Sequence, residues 1–133
     1  MKKEIIIVII IVAIIFLING ICQSYTSKSV EEIINNLDKI EQIAESLNNG
    51  EDEQKEKLID EIQILKENWQ DINYKMSFYI EHDELEKVNS AIVKFESSME
   101  IEEYSDAIPE LENCKYILRH IKDKQAVRAI NFF

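Results

Sequence analysis

The sequence predicts an all-α protein: an N-terminal transmembrane helix followed by an antiparallel bundle of four amphipathic helices, arranged as two helical hairpins. Three observations carry this expectation. Ile5 to Ile18 is a run of fourteen uncharged residues, mostly isoleucine, behind Met1-Lys-Lys-Glu. Beyond it, apolar residues recur at alternating steps of three and four, the period of one helix face rather than of a strand. The whole chain holds two glycines and one proline, too few for strand meanders or for glycine-rich phosphate loops.

The first element is the anchor. Extended through Cys22, the apolar run reaches eighteen residues. That is roughly 27 Å of helix at about 1.5 Å per residue, against a hydrocarbon core of roughly 30 Å. The stretch Phe16-Leu-Ile-Asn-Gly-Ile-Cys22-Gln-Ser decides its fate. A lipoprotein cysteine box needs a small residue before the cysteine, where Ile21 stands. Signal-peptidase cleavage wants small residues at the first and third positions before the cut, and Cys22-Gln-Ser24 is the one tolerable fit. The expectation is therefore an uncleaved signal anchor. Lys2, Lys3 and the free amine lie on one side of it and only Lys28 lies close on the other. Because basic residues near a short N-terminus resist translocation, the N-terminus is expected in the cytoplasm. Residues 1–22 then form a single-pass anchor in the cell membrane, and residues 23–133 form one extracytoplasmic domain. A type IV pilin also opens with an apolar helix and an early glutamate such as Glu4, but the glycine before its cleavage point is missing here.

From residue 23 onward the chain carries 13 basic and 25 acidic residues, unevenly spread. Residues 23–112 hold 8 basic against 24 acidic groups, whereas residues 113–133 hold Lys115, Arg119, Lys122, Lys124 and Arg128 against Asp123 alone. An acidic body repels nucleic acid and anionic lipid headgroups, so no nucleic-acid partner is expected. The basic tail is expected against the acidic helices beside it, with a membrane surface as the other candidate.

The bundle helices follow in order. The first begins at Ser29, whose side chain can cap while Glu32 reaches back. It carries Val30, Ile33, Leu37, Ile40, Ala44 and Leu47, and Asn48-Asn49-Gly50 ends it because glycine takes the left-handed cap at little cost. The second follows Glu51-Asp52-Glu53 and shows Leu58, Ile62, Leu65, Trp69, Ile72, Met76 and Tyr79, the longest unbroken series in the chain. Glu81-His82-Asp83 makes the next turn, with Asp83 or its neighbour as cap. The third helix carries Leu85, Val88, Ile92, Phe95 and Met99. The fourth carries Tyr104, Ala107, Leu111, Cys114, Leu118 and Ile121, with Pro109 tolerated in its first turns. Gln125 to Phe133 is expected as a short helix or docked tail. Short links between helices imply antiparallel neighbours.

Two blocks of this arrangement carry a resemblance. They are Trp69 to Leu85, which ends Tyr79-Ile-Glu-His-Asp-Glu-Leu85, and Tyr104 to Ile121, which ends Tyr116-Ile-Leu-Arg-His-Ile121. On these the chain resembles a family of small bacterial proteins of unknown function, each with a lysine-led N-terminal anchor and a helical domain of comparable size. The resemblance implies an anchored helical protein working beside a multi-pass membrane protein, and it carries over no catalytic residue.

The chemistry-bearing residues are few. His82 and Asp83 adjoin at a helix start, which is capping geometry, and His120 lies late in the last helix, where a cation suits the dipole. A metal site would need a second histidine at helical spacing or an inward carboxylate cluster, so no metal is expected. Cys22 is expected at the membrane edge and Cys114 in the core, both as free thiols. Trp69 falls at a core position of its stripe. No nucleophile with a base and no carboxylate pair for acid-base work stands out. The expectation is a protein that is not an enzyme and holds no cofactor.

Two functional readings remain. The first is an interaction or accessory module for an integral membrane partner outside the cytoplasm. The alternative is a ligand-binding sensor bundle without its own output domain. Ala126 to Phe133 is too short and too charged for the second membrane helix a receptor would need, which favours the first. A tetratricopeptide-like binder is a variant of it, but Ile72 and Asn73 stand where that repeat wants leucine and glycine. The candidate partner-binding residues are Tyr74 and Phe78, which fall together on the face opposite the Leu58 to Tyr79 stripe. Either they pack one hairpin on the other, or they form an exposed aromatic patch that docks a partner.

Overall fold

The computed structural model describes residues 1–131, and among them every regular element is helical. Helix α1 spans Lys2–Asn48, α2 Lys55–Met76, α3 His82–Glu100 and α4 Tyr104–Asn131, with a 3-10 turn at Asp52–Gln54. The expected anchor and the first bundle helix are one element of 47 residues. Ser29 is therefore not a cap, which corrects the expected start there. From Cys22 to Lys28 the chain has no glycine or proline to stop a helix, and Thr26 satisfies its hydroxyl within the helix by donating to the Cys22 carbonyl at 2.8 Å. Ser29 instead faces inward and is buried.

The two links far from the apolar stretch close in the same way. Gly50 takes φ +94°, its N–H reaches the Leu47 carbonyl at 3.0 Å, and the Glu51 N–H reaches the Ser46 carbonyl at 3.1 Å. This is the paired bonding of a Schellman cap. At the end of α3, Glu102 takes the same left-handed role at φ 60°, with Glu102 N–H to Met99 at 3.1 Å and Glu103 N–H to Ser98 at 2.9 Å. Between α2 and α3, the cap of the second is Glu81 without a side-chain bond, and Asp83 falls inside the first turn. The expected Asp83 cap is thus replaced by a carboxylate acting on the helix dipole. Helix α4 accommodates Pro109 and runs unbroken from Tyr104 to Asn131. The expected separate tail does not form over Gln125–Asn131, and Phe132 and Phe133 lie outside the described residues.

Packing follows the stripes. Helix α1 packs on α2 and α4, and α4 packs on α3, so the two hairpins join through their α1 and α4 members. The core comprises the expected positions of all four stripes except Tyr79, which is half-buried against it, with Phe95, Leu37, Leu65, Leu111 and Leu118 fully enclosed. Ile34, Ile43 and Ile80 join it. Between α2 and α3 the backbones approach less closely, and longer side chains bridge them. Trp69 Nε1–H donates to Asn89 Oδ1 at 2.6 Å and Lys66 meets Glu96 at 2.7 Å. By contrast, the side chains of Ile5–Ile11 are all more than half exposed, and no part of the apolar window is buried within the fold.

Candidate functional site

Helix α2 ends at Met76 and the chain turns through Ser77–Ile80, where the Ile80 N–H closes on the Met76 carbonyl at 2.8 Å. This turn throws Phe78 outward and Tyr79 inward. Tyr79 shares a 2.8 Å hydrogen bond with Thr26 of α1, and burial pushes its phenol above the ordinary value although that bond opposes the shift. Phe78 is 75% exposed and Tyr74, one turn earlier, is 67% exposed. Their ring centroids lie 5.5 Å apart at an interplanar angle of 85°, an edge-to-face pair. The sequence-predicted pair therefore forms, and it forms on the surface. It does not pack one hairpin against the other, because both rings face solvent.

The level of this pair along the fold follows from its neighbours. Lys75 Nζ lies 5.9 Å from the centre of the Tyr25 ring of α1. Tyr79, Gln125 and Arg128 line one open cleft together with Ile15, Ile18, Asn19 and Cys22. The α2–α3 turn and the last turns of α4 thus surround the point where the apolar part of α1 leaves the bundle. The opposite end holds the α1–α2 and α3–α4 links, joined by a Lys55–Glu102 ion pair of 2.8 Å. An open cleft of about 340 Å³ lies there, with Leu58, Ile62, Met99 and Tyr104 in its wall.

A charged cluster that the periodicity does not reveal joins α4 to α1. Lys115 is only 4% exposed and meets Asp38 at 2.6 Å, Glu112 at 2.9 Å and Glu41. Burial alone would lower its pKa, but the three carboxylates overcome this and hold it well above the ordinary lysine value. Burial raises Glu41 despite its bond to Lys115, whereas the hydrogen bond from Lys115 lowers Glu112. Nearer the α2–α3 turn, Glu84 is buried, and Lys87 and Lys124 hold it below the usual carboxylate range against the opposing effect of burial. The basic tail is expected against the acidic helices, and Lys115 meets Asp38 and Glu41 of α1 there, but nothing in the periodicity marks Lys115 or Glu84 as buried. The available signal was their place beside stripe residues Cys114 and Leu85.

The remaining titratable candidates stay apart. His82 faces Glu86 at 3.7 Å on the surface, and His120 is exposed on α4. Cys22 and Cys114 are free thiols; Cys114 is buried, which pushes its thiol up to about 12 and leaves it a packing residue. Among the described residues no three His, Cys, Asp or Glu side chains come together as a metal site. What the arrangement offers is a surface aromatic pair beside the exit of an apolar helix, rather than groups converging on a reacting atom.

The family described as a domain of unknown function, DUF4363, matches residues 21–132. The match contains both blocks that carried the resemblance, and it begins inside α1, past the Ile5–Ile18 run. No curated protein and no solved structure matches the chain.

Proposed function

The chain belongs to the DUF4363 family of domains of unknown function, and from that premise we propose that it is a single-pass, membrane-anchored interaction module. Residues 1–22 cross the membrane with the N-terminus in the cytoplasm. Residues 23–133 stand outside as a helical bundle that engages an integral membrane partner. The carrying observation is α1 itself, one helix that joins an apolar stretch with no buried residue to the bundle. Fourteen consecutive apolar residues, none of them buried within the fold, call for lipid as their surroundings. The unbroken backbone also supports a module held in fixed relation to the bilayer rather than swinging on a linker.

A role in interaction is favoured over ligand sensing because the buried side chains form one apolar core and the clefts at its two ends, about 340 and 600 Å³, are open to the surface. The described residues lend no support to an enzymatic role, since no pair among them is placed for nucleophilic or acid-base work. The reading is tested with cells whose wall has been opened. Added protease is expected to digest residues 23–133 and leave the N-terminal segment in the membrane pellet after alkaline extraction. A bundle that survives while a known external protein is cleaved would reverse the orientation. Release of the intact chain at alkaline pH would remove the anchor.

A further inference from the structure

We propose that the end of the bundle from which the apolar stretch emerges is a lipid seat, in which Tyr74 and Phe78, with Val127 and Ile130 of α4, enter the headgroup level of the bilayer. The inference rests on the membrane-anchor reading and adds to it a second contact between bundle and lipid, made by α2 and α4.

Level within the fold is the first support. The Thr26–Tyr79 hydrogen bond and the Lys75–Tyr25 contact fix the α2–α3 turn beside residues 25–26 of α1. Gln125 and Arg128 share a cleft with Ile15, Ile18, Asn19 and Cys22, which carries the last turns of α4 still further along the apolar helix. A span of about 20 residues starting at Ile5 ends near residue 24, so these side chains lie at the boundary of the hydrocarbon. Phe78, Tyr74, Val127 and Ile130 are all more than half exposed there. In water, four such side chains are a cost, whereas at the interface aromatic rings are favourably placed and apolar side chains lose contact with water. Arg128, paired with Glu81 at 2.6 Å, has the long stem that lets a cation reach the headgroups from this depth.

Charge gives a second, independent support. The segments that build this end, 23–34, 69–90 and 119–131, hold seven Lys or Arg and eight Asp or Glu. The segments at the far end, 45–62 and 94–113, hold three and fourteen. Two carboxylates near the seat are neutralised in place. Asp71 is bound by Lys75 at 2.9 Å, and Glu81 by Arg128 and by Lys124 at 3.6 Å. The neutral end can approach anionic headgroups and the acidic end is repelled by them, which holds the bundle upright on its seat.

The test uses the full chain reconstituted in phosphatidylcholine–phosphatidylglycerol vesicles. A fluorophore is attached through Ser77→Cys, or through Glu53→Cys as the far-end control, in a Cys22→Ser background; the buried, high-pKa Cys114 does not compete for the label. The two positions are about 33 Å apart along α2, beyond the reach of one quencher. Lipids carrying a nitroxide on the headgroup are expected to quench the probe at 77 strongly and the probe at 53 only at background. Adding Tyr74→Ser with Phe78→Ser is expected to cut the quenching at 77 by about half while helicity and melting stay unchanged, because both side chains are exposed. Equal quenching at 77 and 53 in chains that float with the vesicles overturns the seat and returns the aromatic pair to docking a protein. Chains that fail to float overturn the anchor reading as well, so the two failures are distinguishable.

Discussion

Two side chains decide how the bundle coheres where its backbones are least closely paired or its charges most deeply set. Trp69 is 5% exposed and bridges α2 to α3 through its indole N–H. Its replacement by Ala is expected to cost about 3–5 kcal/mol, and Trp69→Phe about 1–2 kcal/mol, chiefly for the lost bond to Asn89. Urea unfolding of both variants measures this, and a Trp69→Phe loss near zero would show that the indole N–H contributes nothing. Lys115 poses a different problem, because removing it leaves Asp38, Glu41 and Glu112 facing one another in a partly buried place. Lys115→Ala is expected to cost about 1–3 kcal/mol at neutral pH, less than for a fully buried pair because Asp38 and Glu112 stay half-exposed. The sign of its pH dependence follows from the carboxylates. Without the cation their native pKa values rise, so protonation favours the folded variant and the penalty shrinks as pH falls from 7 towards 4. In the parent chain the raised Lys115 pKa gives a contribution fully present below the ordinary lysine value and lost as pH climbs through the folded one. A penalty identical at pH 7 and pH 4 would assign it to lost packing of the lysine stem.

At the scale of the elements, the stripes were legible because burial on one helix face leaves a period, and each residue of the 3-4 series from Val30 to Ile121 is buried except Tyr79, which is half-buried past the end of α2. The ends were less legible, for separable physical reasons. Gly50 announces its cap because glycine alone takes a positive φ without strain, whereas Glu102 takes the same conformation with no residue type to announce it. The Ser29-x-x-Glu32 box misled because a capping sequence inside an uninterrupted helical run has nothing to break the helix before it. The aromatic pair was found by its helical angle, but its exposure depended on which helices join the hairpins, and that is a tertiary fact. Glu102 yields a prediction at this scale. A non-glycine residue in the left-handed region carries about 1 kcal/mol of strain, more than its exposed ion pair with Lys55 returns. Glu102→Gly is therefore expected to raise the melting temperature, and Glu102→Ala, which loses the ion pair and keeps the strain, to lower it slightly. If glycine and alanine proved equal, the cap would not be strained.

For the whole molecule, the question is whether the apolar stretch and the bundle are one folding unit or two that share a helix. Continuity of α1 argues for coupling, since a helix propagates cooperatively once nucleated. Burial argues for separation, because the hydrophobic core takes its first member at Val30 and nothing from Lys2 to Ile18 is buried. Burial carries the larger energy. Fixing a helix end contributes about 1 kcal/mol, while each enclosed Leu or Ile contributes about 1.5–3 kcal/mol. A chain cut to begin at residue 23 is therefore expected to unfold in one cooperative transition and to melt within about 5 °C of the full chain in detergent. It keeps Thr26, whose hydroxyl bond to Tyr79 ties the α2–α3 turn to α1. Cutting instead to residue 31 removes that tie together with Val30 and is expected to lower the melting temperature by more than about 10 °C, as a loss of roughly 3 kcal/mol or more would. Calorimetry on the two truncated chains decides the matter. A chain starting at residue 23 that melts broadly or far below the full chain would mean that the apolar stretch stabilises the bundle directly, and the two parts would have to be treated as one unit.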